Sequence, residues 1–143
     1  MRAWLYDTLV QHEPLQMKMS LTEPLMREHV MPRFTRHTIN LSSPFLVYGM
    51  GSNSNENLAE DPDHIAHRQF FQIWIHDRGA DFGVIDDIVE ILKDLLIGAS
   101  DAASKVTTVR WLETSAEFNN ESYGTIFRYV RFQAIISKGS VAA

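Results

Sequence analysis

Phe70-Phe-Gln-Ile-Trp-Ile-His-Asp-Arg-Gly-Ala-Asp-Phe-Gly-Val-Ile-Asp-Asp-Ile-Val-Glu-Ile-Leu-Lys-Asp-Leu-Leu-Ile-Gly98 changes its hydrophobic period once, and that change decides the fold. Up to His76 the period is two. Phe71, Ile73 and Ile75 fall on one face of a strand, while Phe70, Gln72, Trp74 and His76 fall on the other. From Ile85 the period is helical: Ile85, Ile88, Val89, Leu92, Leu95 and Leu96 make one stripe, with Asp86, Asp87, Glu90, Lys93 and Asp94 on the wet side. Asp77-Arg78-Gly79-Ala80 has turn chemistry, Asp81 is placed to cap the helix over 82–97, and Gly98 is placed to end it. The acids at 86 and 87 lie near the positive end of the helix dipole. A helix with one apolar stripe directly after a strand needs a sheet to cover.

The flanking sequence supplies that sheet. Pro44-Phe-Leu-Val-Tyr predicts a short buried strand over 44–49, and the strand before the helix covers 66–76. A third spans 106–115, where Val109 and Trp111 alternate with Arg110 and Leu112. In a fourth, over 124–137, Ile126, Val130, Phe132, Ala134 and Ile136 share a face interrupted by Arg128. Glu117-Phe-Asn-Asn-Glu-Ser between these two reads as a hairpin-like connection. At the start, Ala3, Trp4, Leu5 and Leu9 predict a helix over 2–12, limited by Pro14. A short helix near 22–30 follows from Thr22 as N-cap and Pro24 in the first turn. The whole stretch 14–43 carries four of the six methionines and three prolines, and reads either as filling beside the core or as a partner-facing arm. Residues 50–65 are polar and read as a long flexible loop, and 138–143 as a frayed tail. The expected fold is α/β of the α+β type, in one domain over 1–143. It has a mixed, mostly antiparallel sheet of about four strands, with helices packed on one face.

Composition narrows the function classes. The 143 residues are 45% hydrophobic, enough for an ordinary core. There is no cysteine, which removes disulfides, thiolate zinc sites and cysteine nucleophiles. No apolar run approaches the roughly 20 residues that cross a bilayer, and the N-terminus lacks an apolar signal core, so folding in the cytoplasm is expected. Net charge is −5 with scattered basic residues, unlike the basic footprint of a free-standing duplex-DNA binder.

Motifs with chemical meaning are few. His64-Ile-Ala-His67 has two imidazoles but no further ligands at metal-site spacing, and reads as solvated loop histidines. Gly49-Met-Gly-Ser-Asn-Ser lacks the Gly-Lys-Ser/Thr ending of a phosphate-binding loop. His76, Asp77, Asp81, Asp86 and Asp87 could suggest acid–base work, but capping and dipole placement account for the last three. No serine sits in a nucleophile elbow. The reading is a non-enzymatic chain with no cofactor and no metal. Arg110, Arg128 and Arg131 lie in strands, either pairing with acids such as Glu113 or meeting another subunit. Candidate partner contacts are Arg33 and Arg36 in the basic cluster, and Asn53, Asn55, Glu56 and Asp61 in the polar stretch. Phe70 and Trp74, on the strand's second face, and Arg78 in the turn complete the set.

In order and spacing, several segments resemble the tail terminator (tail completion) proteins of long-tailed phages. They are Pro44-Phe-Leu-Val-Tyr, Phe71-Gln-Ile-Trp-Ile-His-Asp, the Gly-x-Asp-Phe turn at 79–82, Ile85-Asp-Asp-Ile, Trp111, and Gly124-Thr-Ile-Phe-Arg-Tyr-Val-Arg-Phe. The resemblance runs from Pro44 to Ile136, while 14–43 has no counterpart. It implies a compact subunit of a homohexameric ring in the virion neck, assembled in the host cytoplasm. Such a ring caps the head-proximal end of the tail tube, stops its polymerisation and joins it to the head–tail connector protein. Its partners would be itself, the tail tube protein and the connector, with DNA passing through the channel without specific binding. Another neck protein, such as a head–tail adaptor or connector subunit, is the alternative, and a small ligand-binding or enzymatic domain the rival from another class.

Overall fold

The computed structural model describes residues 1–32, 41, 44–57, 65–79, 81–122 and 124–137, with the backbone alone at 52–57, 65 and 66. Helices α1 (Arg2–Gln11), α2 (Glu13–Met19) and α3 (Glu23–His29) lead into strands β1 (Val30–Met31), β2 (Phe45–Asn57) and β3 (Ile65–Asp77). Helix α4 (Gly83–Leu96) and strands β4 (Val106–Thr114), β5 (Phe118–Asn120) and β6 (Thr125–Ser137) follow. The strands form one sheet in the order β1-β2-β3-β6-β4, and β5 pairs with the start of β6. Only β1 with β2 is parallel among the described pairs. The fold is therefore α+β with a mixed, mostly antiparallel sheet, as the periodicity predicts.

The sheet has six strands rather than four. β1 is two residues long and lies in the proline-rich stretch, where no alternation could show it. β5 is the expected connection, and its Phe118, Asn119 and Asn120 pair with Phe127, Ile126 and Thr125.

The largest correction concerns 50–65. Strand β2 does not stop at Gly49. It shifts register between Met50 and Asn53 and pairs with β3 as far as Asn57 opposite Ile65. The side chains there are polar and carry no apolar signal, but ladder hydrogen bonds belong to the backbone. β3 is itself held along its length by β6, from Asp77 opposite Ile126 to Ala66 opposite Ser137, and so offers β2 a template. Residues 58–64, the rest of the expected loop, lie outside the described residues.

Pro14 ends α1 but not the helical region. His12 is extended (φ −78°, ψ 109°), and Pro14 sits in the first turn of α2, where its missing N–H costs nothing. Thr22 is the N-cap of α3 as expected, although its side chain makes no capping bond. The Asp81 carboxylate accepts the Gly83 N–H at 2.8 Å, one residue ahead of the assigned N-cap, Phe82. Gly98 leaves α4 in the left-handed region (φ +79°), and its N–H reaches the Val109 carbonyl at 2.9 Å.

The helices cover one sheet face. Leu5, Leu9, Leu15, Met19 and Met26 join Ile85, Ile88, Leu92 and Leu96 above Leu46, Phe71, Ile73, Ile75, Val130, Phe132 and Ala134. Arg128 is the polar exception that the last strand's pattern contains. Its Nη1 meets Asp86 Oδ1 of α4 at 2.6 Å, and its Nε donates to the Ser115 carbonyl at 3.0 Å. The Asp86 side chain is 48% exposed, so solvent screens the pair. Asp86→Asn should cost no more than about 1 kcal/mol in urea unfolding. Arg128→Ala should cost more, because it also leaves the Ser115 carbonyl without that donor. Equal losses would show that the carboxylate, not the carbonyl, holds the arginine.

Candidate functional site

The second face of the sheet is aromatic. Alternation places Phe45, Val47, Gly49 and Gly51 of β2 there, with Phe70, Gln72, Trp74 and His76 of β3 and Phe127, Tyr129, Arg131 and Gln133 of β6. At the β2 end, Met31 and Leu41 pack on Phe45 and Val47 with Trp74 against them. Further across, rings stack from strand to strand. Phe45 lies 5.0 Å from His76, His76 4.9 Å from Phe127, and Phe127 5.2 Å from Phe118. Tyr129 meets Phe118 at 6.3 Å and Trp74 at 6.4 Å. Leu112 and Phe118 finish this surface 40% and 42% exposed.

Two glycines of β2 leave room for Phe70 and Trp74 of β3. A Cβ at Gly49 would come within 3.1 Å of the Trp74 ring, and one at Gly51 within 3.2 Å of Phe70 Cβ. Gly49→Val should therefore displace Trp74, costing about 1–3 kcal/mol and red-shifting tryptophan emission. An unchanged emission spectrum would mean that Trp74 does not depend on the glycine.

Arg131 is fixed on the same face. Its Nε and Nη2 donate to Gln72 Oε1 at 3.2 and 3.0 Å, and its Nη1 meets Glu113 Oε1 at 3.0 Å. The guanidinium walls a shallow groove of about 310 Å³ with Gly51, Phe70, Gln72 and Leu112. Of the two readings of the strand arginines, Arg131 takes the cross-strand pairing with Glu113, Arg128 pairs with a helix, and Arg110 stays exposed.

The expected contact residues divide. Phe70 and Trp74 lie together on the aromatic face, half-buried. Arg78 is engaged inward, its Nε donating to the Leu41 carbonyl and its N–H to Asp77 Oδ1. Asn53, Asn55 and Glu56 are in the far half of β2, opposite Gln69, His67 and Ala66. Arg33, Arg36 and Asp61 lie outside the described residues. Phe127, Tyr129, Phe118 and Leu112 complete the surface, while Phe45 is buried with Met31, Leu41 and Val47 at its β2 end. The alternation in 124–137 that sends Val130 and Phe132 to the core also sends Phe127, Tyr129 and Arg131 to the second face, and is the signal that finds them.

His76 is the titratable group most perturbed here. It is 1% exposed, and its Nδ1 lies 3.0 Å from Thr125 Oγ1. Burial, then the nearby Arg78 charge, lowers its pKa to about 4, so it is a neutral ring in a stack at pH 7. Among the described residues, no three His, Asp or Glu side chains gather as metal ligands.

A single mixed sheet, covered by helices on one face and aromatic on the other, defines the chain as an α+β domain. No family model and no curated protein matches the sequence. The fold is similar to a chain in the solved virion of a native gene transfer agent (GTA) particle. The TM-score is 0.67, covering 93% of this chain and 91% of that one, at 16% identity.

Proposed function

We propose that this chain is a structural subunit of a phage-like particle, working by protein contact rather than catalysis. The observation that carries this reading is the likeness of nearly the whole fold to a chain of a gene transfer agent virion. Within such a particle, the resemblance from Pro44 to Ile136 supports the role of tail terminator. The subunit forms a ring, six-fold in that reading, that ends the tail tube on the head side and joins it to the connector. The aromatic face and the edge of β4 supply surface for neighbours, with no cofactor or metal required.

The test is location. Particles carrying an epitope-tagged copy of this chain, labelled with gold and viewed in negative stain, should show one band at the head-proximal end of the tail. Label along the whole tube or at the distal tip would overturn the terminator role. Label on the head side of the junction would move the chain to an adaptor or connector layer, and particles without label would remove it from the virion.

Charge gives a second expectation. A ring that lets DNA pass should not hold phosphate, and a chain of net charge −5 has little to replace counterions with. The purified protein should show no duplex-DNA binding at about 0.15 M salt. Tight binding that weakens steeply with added salt would reveal a DNA-facing basic patch.

A further inference from the structure

A ring needs two different surfaces on each copy, and the described residues hold a matched pair on opposite sides of the sheet. On the aromatic side, Leu112 stands at a register shift of β4 between Trp111 and Glu113. It is 40% exposed, with the exposed Arg110 two residues before it. On the helical side, α2 packs on α4 and leaves a groove of about 230 Å³ lined by His12, Pro14, Ile91, Asp94 and Leu95. Ile91, Leu95 and Pro14 make that groove mostly apolar. Burial holds the pKa of His12 below its usual value, and Asp94 is the acidic residue of the lining. Among the described residues, neither Arg110 nor Asp94 takes part in an ion pair. The other acids on the outer side of α4 are already paired, Asp87 with Lys18 at 2.6 Å and Glu90 with Lys93 at 3.7 Å, which leaves Asp94 as the acid beside the groove.

We infer that Leu112 of one copy seats in the groove between α2 and α4 of the next copy, with Arg110 of the first facing Asp94 of the second. The size and lining of the groove suit a single aliphatic knob, and one arginine beside the knob meets one carboxylate beside the hole. The knob supplies the apolar burial, and the exposed charge pair sets register more than affinity. Because the two surfaces lie on opposite sides of the sheet, the contact is head-to-tail. Such contacts close into rings when the rotation between copies allows it. The inference rests on the ring reading above and names the surfaces that would make it.

The absence of cysteine from the sequence makes the test clean. A chain carrying Arg110→Cys with Asp94→Cys, treated with a short bis-maleimide in purified particles and as free protein, should give a ladder of multimers on a denaturing gel. Each single variant should run as a monomer. Dimers from Arg110→Cys alone would mean that the sheet faces meet each other, and no ladder in either setting would mean that the two surfaces do not meet. Either result overturns the proposal.

Charge reversal provides an independent check that leaves the knob in place. Arg110→Glu and Asp94→Arg should each lose assembly alone and regain it when mixed, because alternating copies restore opposite charges at every contact. Failure to regain assembly on mixing also counts against the contact. A neck ring seen by gold labelling without the ladder would sink this interface and keep the terminator reading. A ladder from a chain located elsewhere would do the reverse.

Discussion

Phe132→Ala should lower the unfolding free energy by roughly 3–5 kcal/mol, the usual cost of deleting a fully buried aromatic ring. Phe132 is 0% exposed and stacks on Phe71 at 5.3 Å in the middle of the face that α4 covers. It belongs to β6, which pairs with β3, β4 and β5, so the structure around the cavity is pinned on both sides and has little freedom to collapse. A whole domain is stable by only about 5–15 kcal/mol, so this one change removes a large share. The melting temperature should drop by on the order of 10 °C or more. Phe118→Ala, at the exposed end of the aromatic stack, is the control and should cost less than about 1.5 kcal/mol while leaving the core intact. Urea unfolding of both variants decides the matter. Similar losses would mean that the aromatic face, not the helix-covered face, carries the stability.

That contrast follows from parity, and parity was the most legible property of the sequence. The strand at 66–76 and the helix at 82–97 could be placed within a residue or two because each carries a strong apolar period. Two of the new elements lay where the side chains gave no period. β2 runs on through Gly51 to Asn57 because β3 offers it backbone partners, and a backbone ladder leaves no mark in a polar sequence. β1 is held by two residues beside Leu46 and Val47, a contact between segments distant in sequence. α2 was hidden by Pro14, read as a stop when it was also a start. Arg128 looked like a fault in an apolar face until α4 brought Asp86 to it.

The candidate site was half legible. Phe70 and Trp74 could be placed on a partly covered second face, but a single strand cannot say what lies beside it. The order β2-β3-β6 sets Tyr129 opposite Trp74, and β5 adds Phe118 opposite Phe127. The surface is thus a property of topology, assembled from residues that no local pattern groups. The groove on the helical side is more remote still, since Pro14 and Leu95 meet only because α2 packs on α4.

The last expectation concerns pH, and it falls on the ring that ties the aromatic stack together. His76 lies between Phe45 and Phe127 with a folded-state pKa of about 4, whereas an unfolded histidine titrates near 6.5. Above about pH 6.5 both states hold the ring neutral, and its contribution to stability is complete. As pH falls from there toward about 4, the unfolded chain binds a proton that the folded chain refuses, so stability is lost. The loss runs at up to roughly 1.4 kcal/mol per pH unit, about 3 kcal/mol across the window, and levels off once the folded ring also takes a proton. Carboxylates contribute their own acid dependence, so the test is a difference between two proteins. His76→Phe keeps an aromatic ring in the stack, and Thr125→Val removes the hydroxyl that would otherwise be buried beside it without that partner. The double variant and the wild type should be compared by urea unfolding between about pH 7.5 and pH 4.5. Wild-type stability should fall more steeply by that amount, and its Trp74 emission, from the neighbouring position on the same face, should change before global unfolding. Parallel pH profiles would mean that the buried imidazole takes up its proton without leaving the stack.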